Sequence, residues 1–152
     1  MVSDATIHED VFDVIFDLLV ANKPTYTAKD GSTKTYSIRS TFPEANDNLP
    51  CIEIHPAKIP GRIHGLGRNM RDQTPSVRLD FYAPFVDSKN AIDSAKSSVK
   101  NLLFTNFSSL ASNNLVIDSK DSLSDDDEDT DVLGTGAKVH YGSFTVNFVK
   151  VN

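Results

Sequence analysis

The chain has one cysteine, Cys51, among 152 residues, so no internal disulfide can form. That thiol and four histidines make no standard zinc set. A reducing compartment such as cytoplasm fits this usage. Long hydrophobic runs are also missing. Spanning a bilayer takes ~20 apolar residues, and the longest apolar stretch, near Val14 to Val20, is broken by Asp17. No basic segment precedes it, so it does not read as a signal peptide, and no membrane partner is expected. There is no internal repeat and no heptad pattern.

An overall excess of bases is lacking too. Fifteen Lys and Arg face 21 Asp and Glu, a formal charge of −6. Asp125, Asp126, Asp127, Glu128, Asp129 and Asp131 hold that whole excess within seven residues; without them acids and bases balance. A uniformly acidic or uniformly basic surface is therefore excluded. Hydrophobic residues at 39% are enough to bury a core in one domain of this length, residues 1–152.

The chain reads as α+β: a mostly antiparallel sheet, two packed helices and two long charged loops. Residues 4–21 have helical spacing, with Ile7, Val11, Val14, Ile15 and Leu18 on one face and Asp10, Asp13 and Asp17 on the other. Thr6 and Glu9 have capping-box spacing, and Asn22 and Pro24 end the helix. Residues 25–41 read as a polar β-hairpin turning at Asp30-Gly31. Cys51 to His55 reads as a short strand, and the flanking Pro50 and Pro56 suit an edge. Residues 76–83 alternate cleanly, with Val77, Leu79 and Phe81 on one face and Arg78, Asp80 and Tyr82 on the other. A second helix follows, capped by Asp87 or Ser88 and running to about Asn106. Its buried stripe is Ile92, Ala95, Val99, Leu102 and Leu103, with Lys89, Lys96 and Lys100 outside. Ser108 to Asn114 reads as a polar turn and Leu115–Asp118 as a short strand. The final strand, 137–151, is expected to bulge at Gly142-Ser143.

Between these elements lie the two charged segments. Residues 57–75 contain Gly61, Gly65, Gly67, Lys58, Arg62, Arg68 and Arg71 against one acid, Asp72, and read as a long basic loop. Residues 121–136 read as an acidic loop. A neutral body with two oppositely charged loops suits head-to-tail association of identical subunits, which closes into a ring when the rotation allows.

Motifs for chemistry fail one by one. His8-Glu9 has no second histidine four residues on, and no G-x-S-x-G elbow or Walker motif exists. Gly65-x-Gly67 lacks the third glycine of a dinucleotide loop. Asp125, Asp127, Asp129 and Asp131 alternate like half of an EF-hand, but Thr130 and Gly136 replace its glycine and glutamate. His55 and His64 read as a strand-surface and a loop histidine, and Cys51 as a small buried residue beside Ile52 and Ile54. No enzyme activity, metal site or cofactor is expected. The basic loop could meet nucleic acid, but no aromatics interleave it.

In layout the chain resembles the small tail-completion and tail-terminator proteins of long-tailed viruses. The resemblance rests on the order of elements: the helix Ile7–Val20, a hairpin, the strand Leu49-Pro50-Cys51-Ile52-Glu53-Ile54, a loop, the strand Val77–Tyr82, the helix Ser88–Leu103, Leu115–Asp118, and a closing strand ending Phe144-Thr145-Val146-Asn147-Phe148. It implies a virion neck protein, assembled in the host cytoplasm into a ring, expected to be hexameric. Such a ring caps the tail tube, stops its polymerisation and joins the tail to the head connector, and DNA passes through its lumen. The partners implied are identical subunits, tail-tube protein and connector. Candidate contact residues are Lys58, Arg62, Arg68 and Arg71 with Asp125, Asp126, Asp127, Glu128, Asp129 and Asp131; Tyr26, Asp30, Gly31 and Tyr36 are candidates for axial contacts of the hairpin. A head-side adaptor of the same neck and a small metal- or nucleic-acid-binding accessory protein stay open as alternatives.

Overall fold

The computed structural model describes residues 7–41, 43, 48–55, 61–63, 71–73, 75–112, 115–117, 123–126, 130–132, 136 and 138–150. It is an α+β fold whose main sheet is largely antiparallel.

Helix α1, Ile7–Ala21, buries Val11, Ile15 and Leu19 at four-residue spacing and exposes Asp13 and Asp17. Asn22 closes it, its side-chain amide donating to the Leu18 carbonyl at 3.0 Å. The expected start at residues 4–6 lies outside the described residues.

Strands β1, Thr25–Thr27, and β2, Thr33–Thr35, pair antiparallel as expected. At the tip Gly31 takes φ +86°, and the Asp30 carboxylate accepts from the Ser32 amide at 2.9 Å. The second arm is shorter than the sequence suggests. After Tyr36 the chain leaves the hairpin, and β3, Ser37–Arg39, joins the main sheet parallel to β4, Cys51–Ile54.

All four residues of β4 are buried, and the strand lies between β3 and β7, Ser76–Pro84. The edge position expected from its prolines is therefore wrong. Pro50 precedes the ladder instead of interrupting it, and its carbonyl accepts from the Ser37 amide at 3.0 Å.

The expected basic loop contains β5, Gly61–Ile63, paired antiparallel with β6, Arg71–Gln73, so part of it is a β-ribbon. Helix α2, Asn90–Thr105, and the short α3, Phe107–Ser112, follow β7; α3 occupies much of the expected polar turn. Then come β8, Leu115–Ile117, β9, Leu123–Asp126, β10, Thr130–Val132, and β11, Lys138–Lys150.

The expected acidic loop is corrected as well. β8, β9 and β10 all pair antiparallel with β11, in succession along its outer side. Asp125 stands opposite Phe144, Asp126 opposite Ser143 and Asp131 opposite Val139. Asp125, Asp126 and Asp131 are thus strand residues paired to β11. On its other side β11 pairs with β7 without a break from Val139↔Pro84 to Asn147↔Ser76, so the expected bulge at Gly142-Ser143 is absent from that ladder.

The helices cover one face of the sheet. Val11, Ile15, Ile92, Val99, Leu103 and Leu110 pack there on Ile52, Ile54, Leu79, Phe81, Phe144 and Phe148. Gly142 sets how closely α2 approaches: a Cβ there would lie 2.6 Å from Ile92 Cγ2 and 2.9 Å from Lys96 Cε. Lys96, expected outside, is buried at 5% exposure in the space the missing side chain leaves.

Candidate functional site

The opposite face of the sheet follows from the same alternation. Cys51 and Glu53 on β4, Arg78, Asp80 and Tyr82 on β7, and Tyr141 and Ser143 on β11 point away from the helices. Cys51, Tyr82, Val139 and Tyr141 form a small apolar cluster there. Beside it the register puts Glu53 directly opposite Asp80, with both residues buried, at 7% and 3% exposure. Two like charges on one buried rung repel and need counter-charge or a proton.

Three groups answer that need. His55 extends β4 by one residue, its amide donating to the Arg78 carbonyl at 3.0 Å. Its Nε2 lies 2.5 Å from Asp80 Oδ2 and 3.1 Å from Glu53 Oε1. Arg78 Nε donates to Asp80 Oδ1 at 2.9 Å, and a second guanidinium nitrogen donates to the Tyr141 hydroxyl at 2.6 Å. The Tyr141 O–H in turn donates to Asp80 Oδ1 at 2.9 Å. Asp80 is fully engaged by this set. Glu53 is not: its Oε2 is buried without a hydrogen-bond partner. Burial holds the Glu53 carboxyl above its ordinary range; the charge of Asp80 adds to this, while His55, Arg78 and Arg39 oppose it. Arg39 stands opposite Glu53 in the β3–β4 register; its two terminal nitrogens donate to Asn48 at 2.9 Å and Thr41 at 3.3 Å, while its Nε, like Glu53 Oε2, is buried without a partner.

The carboxylate of Asp87 lies elsewhere, in the turn between β7 and α2. It accepts from the Tyr26 hydroxyl at 2.6 Å, the Lys29 amide at 3.0 Å and the Lys34 ammonium at 3.2 Å. It therefore ties the β1–β2 hairpin to the body instead of capping α2; Ser88 Oγ accepts from the Asn90 amide at 3.2 Å in that place. A groove of about 430 Å³ opens beside it, lined by Thr25, Tyr26, Thr27, Thr33, Ser88 and Asn90 among others. Its lining offers hydroxyls and an amide but no carboxylate, imidazole or thiol, which is poor material for acid–base or nucleophilic work.

The residues expected to act are placed as follows. Tyr26 and Tyr36 are interior, at 7% and 0% exposure, and Tyr36 donates to the Ala91 carbonyl at 2.7 Å. They hold the hairpin from inside, while Asp30 and Gly31 are exposed at its tip with Lys29, Ser32 and Thr33. On the β5–β6 ribbon Arg62 stands opposite Asp72, and Arg71 stands opposite Ile63. Asp125, Asp126 and Asp131 lie on β9 and β10. Lys58, Arg68, Asp127, Glu128, Asp129 and His64 lie outside the described residues. Cys51 is fully buried and its thiol is pushed up to about 12 by burial, which fits the apolar role expected of it.

The Glu53–His55–Asp80 group was missed in the sequence. Glu53-x-His55 on a strand does place both side chains on one face. The third member depends on the β4–β7 register, which no local pattern reveals. Comparisons with protein-family profiles and with curated proteins return no match.

Proposed function

We propose that the protein is a structural ring component of a virion neck, of the tail-terminator kind. Copies associate head to tail, cap the tail tube and present a surface to the head connector, with DNA passing through the lumen. The observation that carries the reading is the placement of charge. The basic segment includes the β5–β6 ribbon, and Asp125, Asp126 and Asp131 of the acidic tract lie on β9 and β10, paired to β11. Both are strand-borne features of a two-layer body, so each has a fixed register to offer a neighbour. The succession of α1, hairpin, β4, ribbon, β7, α2 and closing hairpin also follows the order from which the resemblance was drawn.

The test is assembly of the purified chain with and without tail-tube protein, followed by sedimentation and electron microscopy. Rings, alone or on tube ends, are expected. A chain that stays monomeric in the presence of tube protein and is absent from particles refutes the proposal. Changing Arg62, Arg68 and Arg71 together to Gln should weaken ring formation, most at low salt. Unchanged assembly at both low and high salt would remove the charge-pairing part of it.

A further inference from the structure

We propose that Glu53, His55 and Asp80 form a site for a divalent transition-metal ion of the zinc type. This inference is independent of the neck reading and rests on the β4–β7 rung alone.

The three residues can each offer one ligand atom, and these atoms lie within 4.8 Å of one another. Glu53 and Asp80 come from facing positions of two buried strands, and His55 comes from the same face of β4 two residues on. One imidazole nitrogen with two carboxylates suits zinc and its first-row neighbours better than calcium or magnesium, which take oxygen sets. Around a tetrahedral ion with ligands at 2.0–2.1 Å, donor atoms stand about 3.3 Å apart. His55 Nε2 is already 3.1 Å from Glu53 Oε1. Its 2.5 Å approach to Asp80 Oδ2 has to widen, and the His55 side chain, 36% exposed, has room to turn outward.

Two further observations point to a ligand. Glu53 Oε2 is buried with no partner, on a side chain that is 9% exposed. Native structures rarely leave such an atom unsatisfied, and an ion held by both Glu53 oxygens would satisfy it. Asp80 is also arranged as metal ligands usually are. Arg78 and Tyr141 hold its Oδ1 from outside, which turns Oδ2 toward the site. With both Glu53 oxygens bound, the three residues supply four donor atoms, a water would be a fifth, and the exposed edge of His55 gives the ion a way in.

The experiment uses the untagged full chain, stripped with chelator and equilibrated with zinc. One ion per chain is expected. His55→Ala and Glu53→Gln should each weaken binding by more than about tenfold, since even the outer partners of metal ligands carry that much. A variant with Asp125, Asp126 and Asp127 changed to Asn should bind as the native chain does. Cobalt(II) substituted for zinc should give a visible d–d band that His55→Ala abolishes; His55 is at the surface end of the strand, so this variant should keep the fold. No stoichiometric uptake, or uptake that survives His55→Ala and vanishes with the acidic-tract variant, overturns the proposal.

Discussion

Removing the Asp87 carboxylate should loosen the hairpin from the body while sparing the main sheet. In Asp87→Ala three donors lose their acceptor: the Tyr26 hydroxyl, the Lys29 amide and the Lys34 ammonium. The three losses are unequal. Lys34 is 33% exposed at its side chain, so its ion pair is screened and contributes ~0.2–1 kcal/mol. The Lys29 amide belongs to an exposed residue and can turn to water. Tyr26 is buried, and an orphaned hydroxyl there costs ~1–3 kcal/mol. The total is about 3 kcal/mol. Tyr26→Phe removes the donor instead and should cost about 1 kcal/mol. The double variant should be little worse than Asp87→Ala, because no hydroxyl is left unpaired. Urea denaturation of the four proteins measures this directly. Hydrogen exchange should show faster exchange in β1 and β2 while β7 and β11 stay protected.

The same carboxylate predicts an acid dependence. Burial raises the Asp87 pKa, but the donated bonds from Tyr26, Lys29 and Lys34 outweigh it and hold the group below its usual range. A group depressed in the folded state contributes fully above its unfolded value of about 3.9 and loses that contribution as pH falls through the folded value. The stability gap between the native chain and Asp87→Asn should therefore be widest near neutrality and close on acidification. A loss below about 1 kcal/mol for Asp87→Ala, additive single variants, or a gap that persists at low pH would each refute this account of the hairpin anchor.

Gly142→Ala should destabilise by about 1–3 kcal/mol, because the new methyl meets the buried Ile92. Combined with Ile92→Ala, which deletes the opposing methyl, its cost in urea denaturation should be less than the sum of the two. Tyr36→Phe should lose about 1 kcal/mol with the bond to the Ala91 carbonyl. Cys51 should resist thiol reagents in the folded protein and react at a rate set by unfolding, as mass-spectrometric labelling at neutral pH would show.

The sequence was most informative where one period ran undisturbed. Val11 and Ile15 in α1, Val77, Leu79 and Phe81 in β7, and Phe144, Val146 and Phe148 in β11 are all buried as their spacing suggests. It misled where tertiary partners overrode local preference. Aspartates disfavour strands, yet β9 and β10 form because the 13-residue β11 has an outer side to be paired. Lys96 lies inside because Gly142, far along the chain, has no side chain. The Glu53–Asp80 rung was illegible for a related reason. Both residues lie in segments that read as strands, but their meeting depends on which strand β4 neighbours, and the flanking prolines pointed to an edge.

The acidic arm on β11 also bears on which sheet edges can meet. An outer strand offers unpaired backbone groups that invite a second copy of itself. Here such self-pairing would bring two aspartate-rich strands side by side, setting like charges against each other across the seam. Edge-to-edge dimers and stacked fibrils are thereby disfavoured, while a strand or ribbon of opposite sign meets no such barrier. The tract thus works as a filter on association: it excludes the symmetric contact and leaves the asymmetric one open.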